Sequence, residues 1–362
     1  MAAFYALKII KELGLPLQRR VRMIIGTDEE SSWKCVDHYF KHEEAPDMGF
    51  APDADFPIIC AEKGIANFFL KKQTNSPSIE KKGEEANSKI QLISFDSGQR
   101  VNMVPERATA TLLIQNEEKV VEMLSEAFES YCTEQQVTGS VHVKGNQLTF
   151  TVEGISAHGA EPFKGVNAGL HLISFLSQYT YPREAQSFIS LLQSYFVDDP
   201  YGEKLGIAIE DEMTGKLTLN VGVLEYRSET DSKIGLNLRY PVTTSYEAMM
   251  QRVEEIAKSF GYEVTDMDNL VPHHVDQNHA LIKTLQKVYE EQTGEKATLL
   301  STGGGTYARS LKTGVAFGPL FPGKEETAHQ KDEYVEIDDL VRATAIYAQA
   351  IYELAIAPTT ET

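Results

Sequence analysis

Cysteine is scarce in this chain: Cys35, Cys60 and Cys132 are the 3 in 362 residues, an odd number, widely spaced and without a CxxC pair. That argues against a disulfide framework and a thiolate zinc knuckle, and fits a reducing cytoplasm. Basic residues are also few. The 34 Lys and Arg face 53 Asp and Glu, for a net charge of -19. Such a field repels phosphate, and no Lys/Arg run with interleaved aromatics offsets it, which argues against nucleic acid as a partner. No apolar stretch is long enough to span a bilayer. The opening residues lack a basic n-region and carry Lys8, Lys11 and Glu12 inside their apolar run, so neither signal peptide nor membrane partner is expected. The P-loop string GxxxxGK[ST] is absent. What remains, 42% hydrophobic with 25 Gly and 14 Pro, is the composition of a soluble globular protein, and a prior of roughly 150 residues per domain predicts about two domains.

Hydrophobic periodicity predicts a helix over Met1 to Leu13, ended by Gly14 and Pro16, then a short buried strand over Arg22 to Gly26 and a second helix from Thr27 to about Phe40. The first helix is apolar nearly all round and has no capping residue before it, as if cut from something longer. From Gly64 the texture alternates. Strands are expected over Ile65 to Lys71, Ala108 to Ile114, Val137 to Val143 and Gln147 to Val152, with helices near Val120 to Glu134 and Gly165 to Ser177. Lys71 to Asn87, charged and rich in Ser and Asn, predicts an exposed loop. A strand and helix pattern recurs over Lys216 to Tyr240 and Tyr246 to Phe260. Helices from Ala280 to Thr293 and from Asp338 to about Leu354 bracket the turn Thr302-Gly-Gly-Gly-Thr306. The pattern is one α/β domain, residues 1–63 and 271–362, interrupted by an α+β insertion over 64–270 of roughly two hundred residues, since such insertions succeed at exposed loops.

Asp28-Glu29-Glu30 falls at a strand-to-helix junction, where open α/β sheets place their sites. Alone, acids in a helix's first turn do no more than complement its dipole. A second acidic turn follows in Ala51-Pro-Asp-Ala-Asp-Phe-Pro57, and His329 lies in Glu326-Thr-Ala-His-Gln-Lys-Asp-Glu-Tyr334. Carboxylates with imidazole suit zinc, manganese or cobalt, and adjacent carboxylates can divide the work of ligand and general base. His158 between Ala157 and Gly159, Arg239 on a strand, and the triple glycine each also fit a purely structural role.

The strings Gly26-Thr-Asp-Glu-Glu-Ser-Ser-Trp-Lys-Cys35, Gly49-Phe-Ala-Pro-Asp-Ala-Asp-Phe-Pro57, Gly154-Ile-Ser-Ala-His-Gly159 and His329-Gln-Lys-Asp-Glu-Tyr334 together resemble the M20 family of metallopeptidases, most closely its PepV-type bacterial dipeptidases. The resemblance implies a zinc-exopeptidase-like α/β catalytic domain holding two zinc ions, with manganese or cobalt as substitutes, and an α+β lid domain. It implies Glu29 as general base and Glu30, Asp53 and His329 as metal ligands; Asp55, two positions from Asp53, reads from the sequence as a solvated neighbour and leaves the ligand open between the two. His158 would stabilise the oxyanion, while Asn102, Arg239 and the turn Gly303, Gly304, Gly305 would hold the carboxylate of a dipeptide. A monomer is implied, because so long an insertion lets His158 serve its own chain.

The family pattern also places an HxD motif, and an Asp followed by Asp-Lys-Gly, ahead of the first helix, and neither string stands there in this chain. His274-Val-Asp276 matches HxD only as a string and is read as a hinge segment. The expectation is therefore a zinc-dependent dipeptidase in amino-terminally truncated form. The alternatives are a non-catalytic remnant that binds peptides or a partner, and a deacylase or carboxypeptidase of the same family.

Overall fold

A computed structural model describes residues 1–30, 33–73, 89–115, 118–228, 230–328 and 331–356. They form two compact units, Met1–Lys63 with Pro272–Thr362, and Gly64–Val271.

The chain opens with α1 (Ala2–Glu12), which buries the stripe Ala2, Ala6 and Ile10 at four-residue spacing. Gly14 takes φ 64 just past it, the left-handed geometry that a helix end favours. The strand expected over Arg22 to Gly26 does not form. Those residues are irregular, and Ile25 is exposed. The run is apolar enough, but a strand also needs a ladder partner, and none of the described strands pairs with it. Helix α2 (Lys34–His42) starts later than expected, after Trp33 in a left-handed conformation at φ 54. Asp28 causes the delay: its carboxylate accepts from the backbone N–H of Lys34 (2.9 Å) and Cys35 (3.2 Å), so it caps the helix from outside. Strands β1 (Gly49–Ala51), β2 (Ala54–Asp55) and the wholly buried β3 (Ile58–Glu62) follow.

In the inserted unit the chain runs through β4 (Gly64–Gln73), β5 (Ile90–Ser97), β6 (Arg107–Ile114), α3 (Glu118–Gln135), β7 (Thr138–Lys144), β8 (Gln147–Glu153), α4 (Ala168–Leu176) and α5 (Arg183–Tyr195). A two-stranded hairpin, β9 (Glu210–Asp211) and β10 (Gly215–Lys216), precedes β11 (Thr218–Arg227), β12 (Asp231–Tyr240), α6 (Tyr246–Ser259) and β13 (Glu263–Leu270). The main sheet is antiparallel with order β13-β4-β12-β11-β5-β6-β8-β7. Strict alternation of buried residues along β6 and β8 gives it one core face. Leu124 and Phe128 of α3, Phe175 and Leu176 of α4, and Phe188 and Leu192 of α5 belong to the core on that face. Asn167 and Ser245 cap α4 and α6. Of the loop expected over Lys71 to Asn87, residues 74–87 lie outside the described residues, and the strand runs on to Gln73.

The returning chain adds β14 (His273–His274), α7 (Ala280–Thr293), β15 (Leu299–Thr302), β16 (Gly314–Ala316), β17 (Pro319–Leu320) and α8 (Ile337–Ile356). Its sheet is mixed: β15 lies parallel to β3, β1 parallel to β16, and β14 and β16 antiparallel to β3. Phe56 is the aromatic centre of this core, with ring centroids of Tyr289, Phe317, Phe321 and Tyr347 at 5.5, 5.0, 4.7 and 5.8 Å. Among the described residues no helix is long and apolar enough to cross a membrane.

Candidate active site

The turn Asp28-Glu29-Glu30 sits before α2 rather than in its first turn. With Asp28 occupied as a cap, Glu29 is half-buried and Glu30 exposed. The indole of Trp33 donates to the Glu29 carbonyl at 2.5 Å. Far along the chain, the Tyr307 hydroxyl accepts from the Asp28 N–H at 3.3 Å and lies 3.1 Å from the Cys35 sulfur. Burial, with the Cys35 contact, pushes that hydroxyl up to about 12, so it stays protonated. Trp33 meets the Tyr307 ring edge-on, centroids 5.3 Å apart. Gly26 makes this possible, since a Cβ there would stand 2.3 Å from the ring.

Gly303, Gly304 and Gly305 follow the carboxyl end of β15, beside the carboxyl end of its parallel neighbour β3. Glu62, the last residue of β3, is 1% exposed. Its carboxylate accepts from the Thr306 hydroxyl (2.7 Å) and N–H (3.2 Å) and pairs with Arg309 Nε at 3.4 Å. Burial raises the Glu62 carboxyl above the usual carboxylate range against the opposing pull of Arg309 and Thr306, and the charge of Asp53 adds to the rise. Thr302 accepts from the Lys63 N–H through its carbonyl (3.0 Å) and from the Gly304 N–H through its hydroxyl (3.0 Å).

Asp53 is exposed between β1 and β2. Neighbouring Asp55 has its carboxyl raised by burial and by the charge of Glu326. His329 lies outside the described residues. Among the described residues no group of three or more His, Cys, Asp or Glu side chains could hold a metal ion. The carboxylates of Glu30 and Asp53 suit a hard divalent cation, but the described donors do not by themselves complete a site.

In the inserted unit Asn102 and His158 are brought together. Met103 and His158 form an antiparallel bridge, and the Gly159 N–H donates to the Asn102 carbonyl at 2.7 Å. Both side chains are exposed. The Ala160 N–H donates to His158 Nδ1 at 3.3 Å, which leaves the proton of a neutral ring on Nε2. Arg239, on β12, is 5% exposed and donates from Nε to Asn237 Oδ1 at 3.1 Å, while Asn237 donates to Asn67 Oδ1 at 2.7 Å. His274 lies in β14, paired with Ala61 of β3, on the returning strand.

Glu62, Thr306, Tyr307 and Arg309 were not singled out by sequence reasoning. The available signal was an acid closing the apolar run Ile58-Ile-Cys-Ala61, and polar residues directly after the glycines.

The mixed sheet of one unit and the antiparallel sheet of the other make up an α/β peptidase fold. The chain belongs to peptidase family M20/M25/M40, whose sequence model matches residues 1–353. It is 51% identical over 355 residues to the Bacillus subtilis (strain 168) protein named "Putative dipeptidase YtjP", covering 98% of this chain and 74% of that one. It is 39% identical over 356 residues, with the same coverage of each, to a Staphylococcus haemolyticus (strain JCSC1435) protein whose name also reads "Putative dipeptidase". Among solved structures its fold is similar to that of the aminoacylhistidine dipeptidase from Vibrio alginolyticus. The TM-score is 0.52 at 17% identity, over 86% of this chain and 66% of that one.

Proposed function

We propose that this protein is a zinc-dependent dipeptidase that hydrolyses dipeptides with a free carboxyl terminus. The observation that carries the reading is the joining, in a chain of a peptidase family, of the Glu29 turn and the glycine turn through Tyr307. Glu30, Asp53 and His329 are the proposed zinc ligands. Glu29 takes a proton from the attacking water as its oxygen adds to the scissile carbonyl, then delivers it to the leaving nitrogen as the C–N bond breaks. Nε2–H of His158 donates to the developing oxyanion. Asn102, Arg239 and the Gly303 to Gly305 backbone hold the substrate's carboxylate with charge-assisted hydrogen bonds, which a peptide continuing past that point could not accept. The three cysteines are free thiols, consistent with a reducing cytoplasm, and the enzyme is read as a monomer.

Hydrolysis of dipeptides, tripeptides and N-acyl amino acids with and without added zinc tests the reading. Dipeptides should be cleaved fastest and a chelator should stop turnover. Glu29→Gln should retain metal and lose at least about 10²-fold in kcat, whereas Glu30→Gln should weaken metal binding. Faster cleavage of N-acyl amino acids would make the protein a deacylase. Peptide binding without turnover under any metal would make it non-catalytic.

A further inference from the structure

We propose that the turn Thr306–Arg309 is a positioning element that holds the Glu29 turn and the glycine turn at one fixed separation, with Tyr307 acting on the first and Glu62 on the second. The inference rests on the roles just assigned to those two turns. On one side Tyr307 is engaged three ways: its hydroxyl with the Asp28 N–H and the Cys35 sulfur, its ring edge-on with Trp33, and its body in the space that Gly26 leaves. Trp33 in turn holds the Glu29 carbonyl. On the other side the segment is fastened to the end of β3. Thr306 gives Glu62 two hydrogen bonds, Arg309 pairs with the same carboxylate, and Arg309 Nη2 donates to the Lys63 carbonyl at 3.0 Å. Since Lys63 also donates to Thr302, the glycine turn is fastened at both ends to two consecutive residues.

A carboxylate held in a dry site by two hydrogen bonds and a guanidinium is stiff, because each partner's loss leaves buried charge uncompensated. Tyr307 lies between Thr306 and Arg309, so the acidic turn cannot shift relative to the glycine turn without breaking one of these ties. In chemical terms this sets the distance between the proton acceptor and the carboxylate anchor. The site would therefore select substrates by the number of atoms between scissile bond and free carboxylate, which is one carbon for an α-amino acid. Misplacement by about 1 Å is enough to cost on the order of 10² in rate.

The test compares two dipeptides, one ending in an α-amino acid and one ending in a β-amino acid that adds a methylene before the carboxylate. The parent should prefer the α form strongly. Tyr307→Phe keeps the ring packing and should lower kcat on the α substrate by about tenfold with little change in KM, and Glu62→Gln should raise KM; both should narrow the α/β preference. Amide exchange gives a readout independent of turnover. Tyr307→Phe should speed exchange at Asp28, and Glu62→Gln at Thr306, with the helix Ala280–Thr293 unchanged. Variants that lose activity equally on both substrates, or leave those amides as protected as before, overturn the inference while the dipeptidase reading stands. A parent chain that hydrolyses neither substrate overturns the functional reading and this inference with it.

Discussion

Arg239 offers the sharpest separation of a binding role from a structural one. Arg239 is 5% exposed, and its Nε donates to Asn237, whose own amide donates to Asn67. Arg239→Met keeps most of the aliphatic stem, so the folding cost should be at least that of the lost charged hydrogen bond to Asn237, about 1.5 to 3 kcal/mol. The urea midpoint measures it. If the guanidinium also holds a substrate carboxylate, a second loss of about 1.5 to 3 kcal/mol appears in transition-state binding, or roughly 10- to 150-fold in kcat/KM. The two losses separate by choice of substrate. At a temperature well below unfolding, a dipeptide with a free carboxyl end should show the full drop. One with an amidated end should be poor for the parent and little worse for the variant. Equal losses on both substrates, or equal cleavage of both by the parent, would show that Arg239 reads no carboxylate.

In the core of the first unit, Phe56→Ala should cost about 3 to 5 kcal/mol by urea unfolding, because four aromatic neighbours cannot collapse into the space; a loss below about 1 kcal/mol would contradict that packing. Gly26→Ala should cost about 1 to 3 kcal/mol through collision with Tyr307, and most of that cost should vanish in a Tyr307→Ala background; the same cost in both backgrounds would place the strain elsewhere. For Asp211, burial alone would raise the carboxyl, but hydrogen bonds from Thr214 and Thr243 outweigh it and hold the group below the usual carboxylate range. Its stabilisation is therefore present above the unfolded value of about 3.9 and lost as pH falls through the lower folded value. The gap in stability between parent and Asp211→Asn should accordingly shrink in acid, and a gap independent of pH would refute the assignment.

Elements with a complete local signal were legible in the sequence. Helix α7 runs from Ala280 to Thr293 as its periodicity and following Gly294 indicate, and β6 and β8 show the alternation expected of strands with one buried face. Arg22 to Gly26 misled because its apolar run says nothing of whether a partner strand is alongside. Helix α5, entered through Pro182 without a side-chain cap, and β5 carried no start signal that was read. The candidate site divides in the same way. Local strings, through the family resemblance they carry, suggest Glu29, Glu30, Asp53 and His158, whose roles stand as proposals. The ties that hold the turns together span 279 residues from Asp28 to Tyr307 and 244 from Glu62 to Thr306, and no local pattern records them.

The two passages of the chain between the units run side by side. Outgoing β3 pairs with returning β14 through Glu62 and His273, and just beyond, outgoing β4 pairs with returning β13 through Ile65 and Leu270. An insertion whose two ends are neighbours can be lengthened, shortened or exchanged at that joint, because the host strands need only keep their two adjacent ends in place. Evolution could thus vary the inserted unit as a cassette. An engineer could do the same by closing Lys63 to Pro272 with a short turn, and so learn whether the first unit folds by itself.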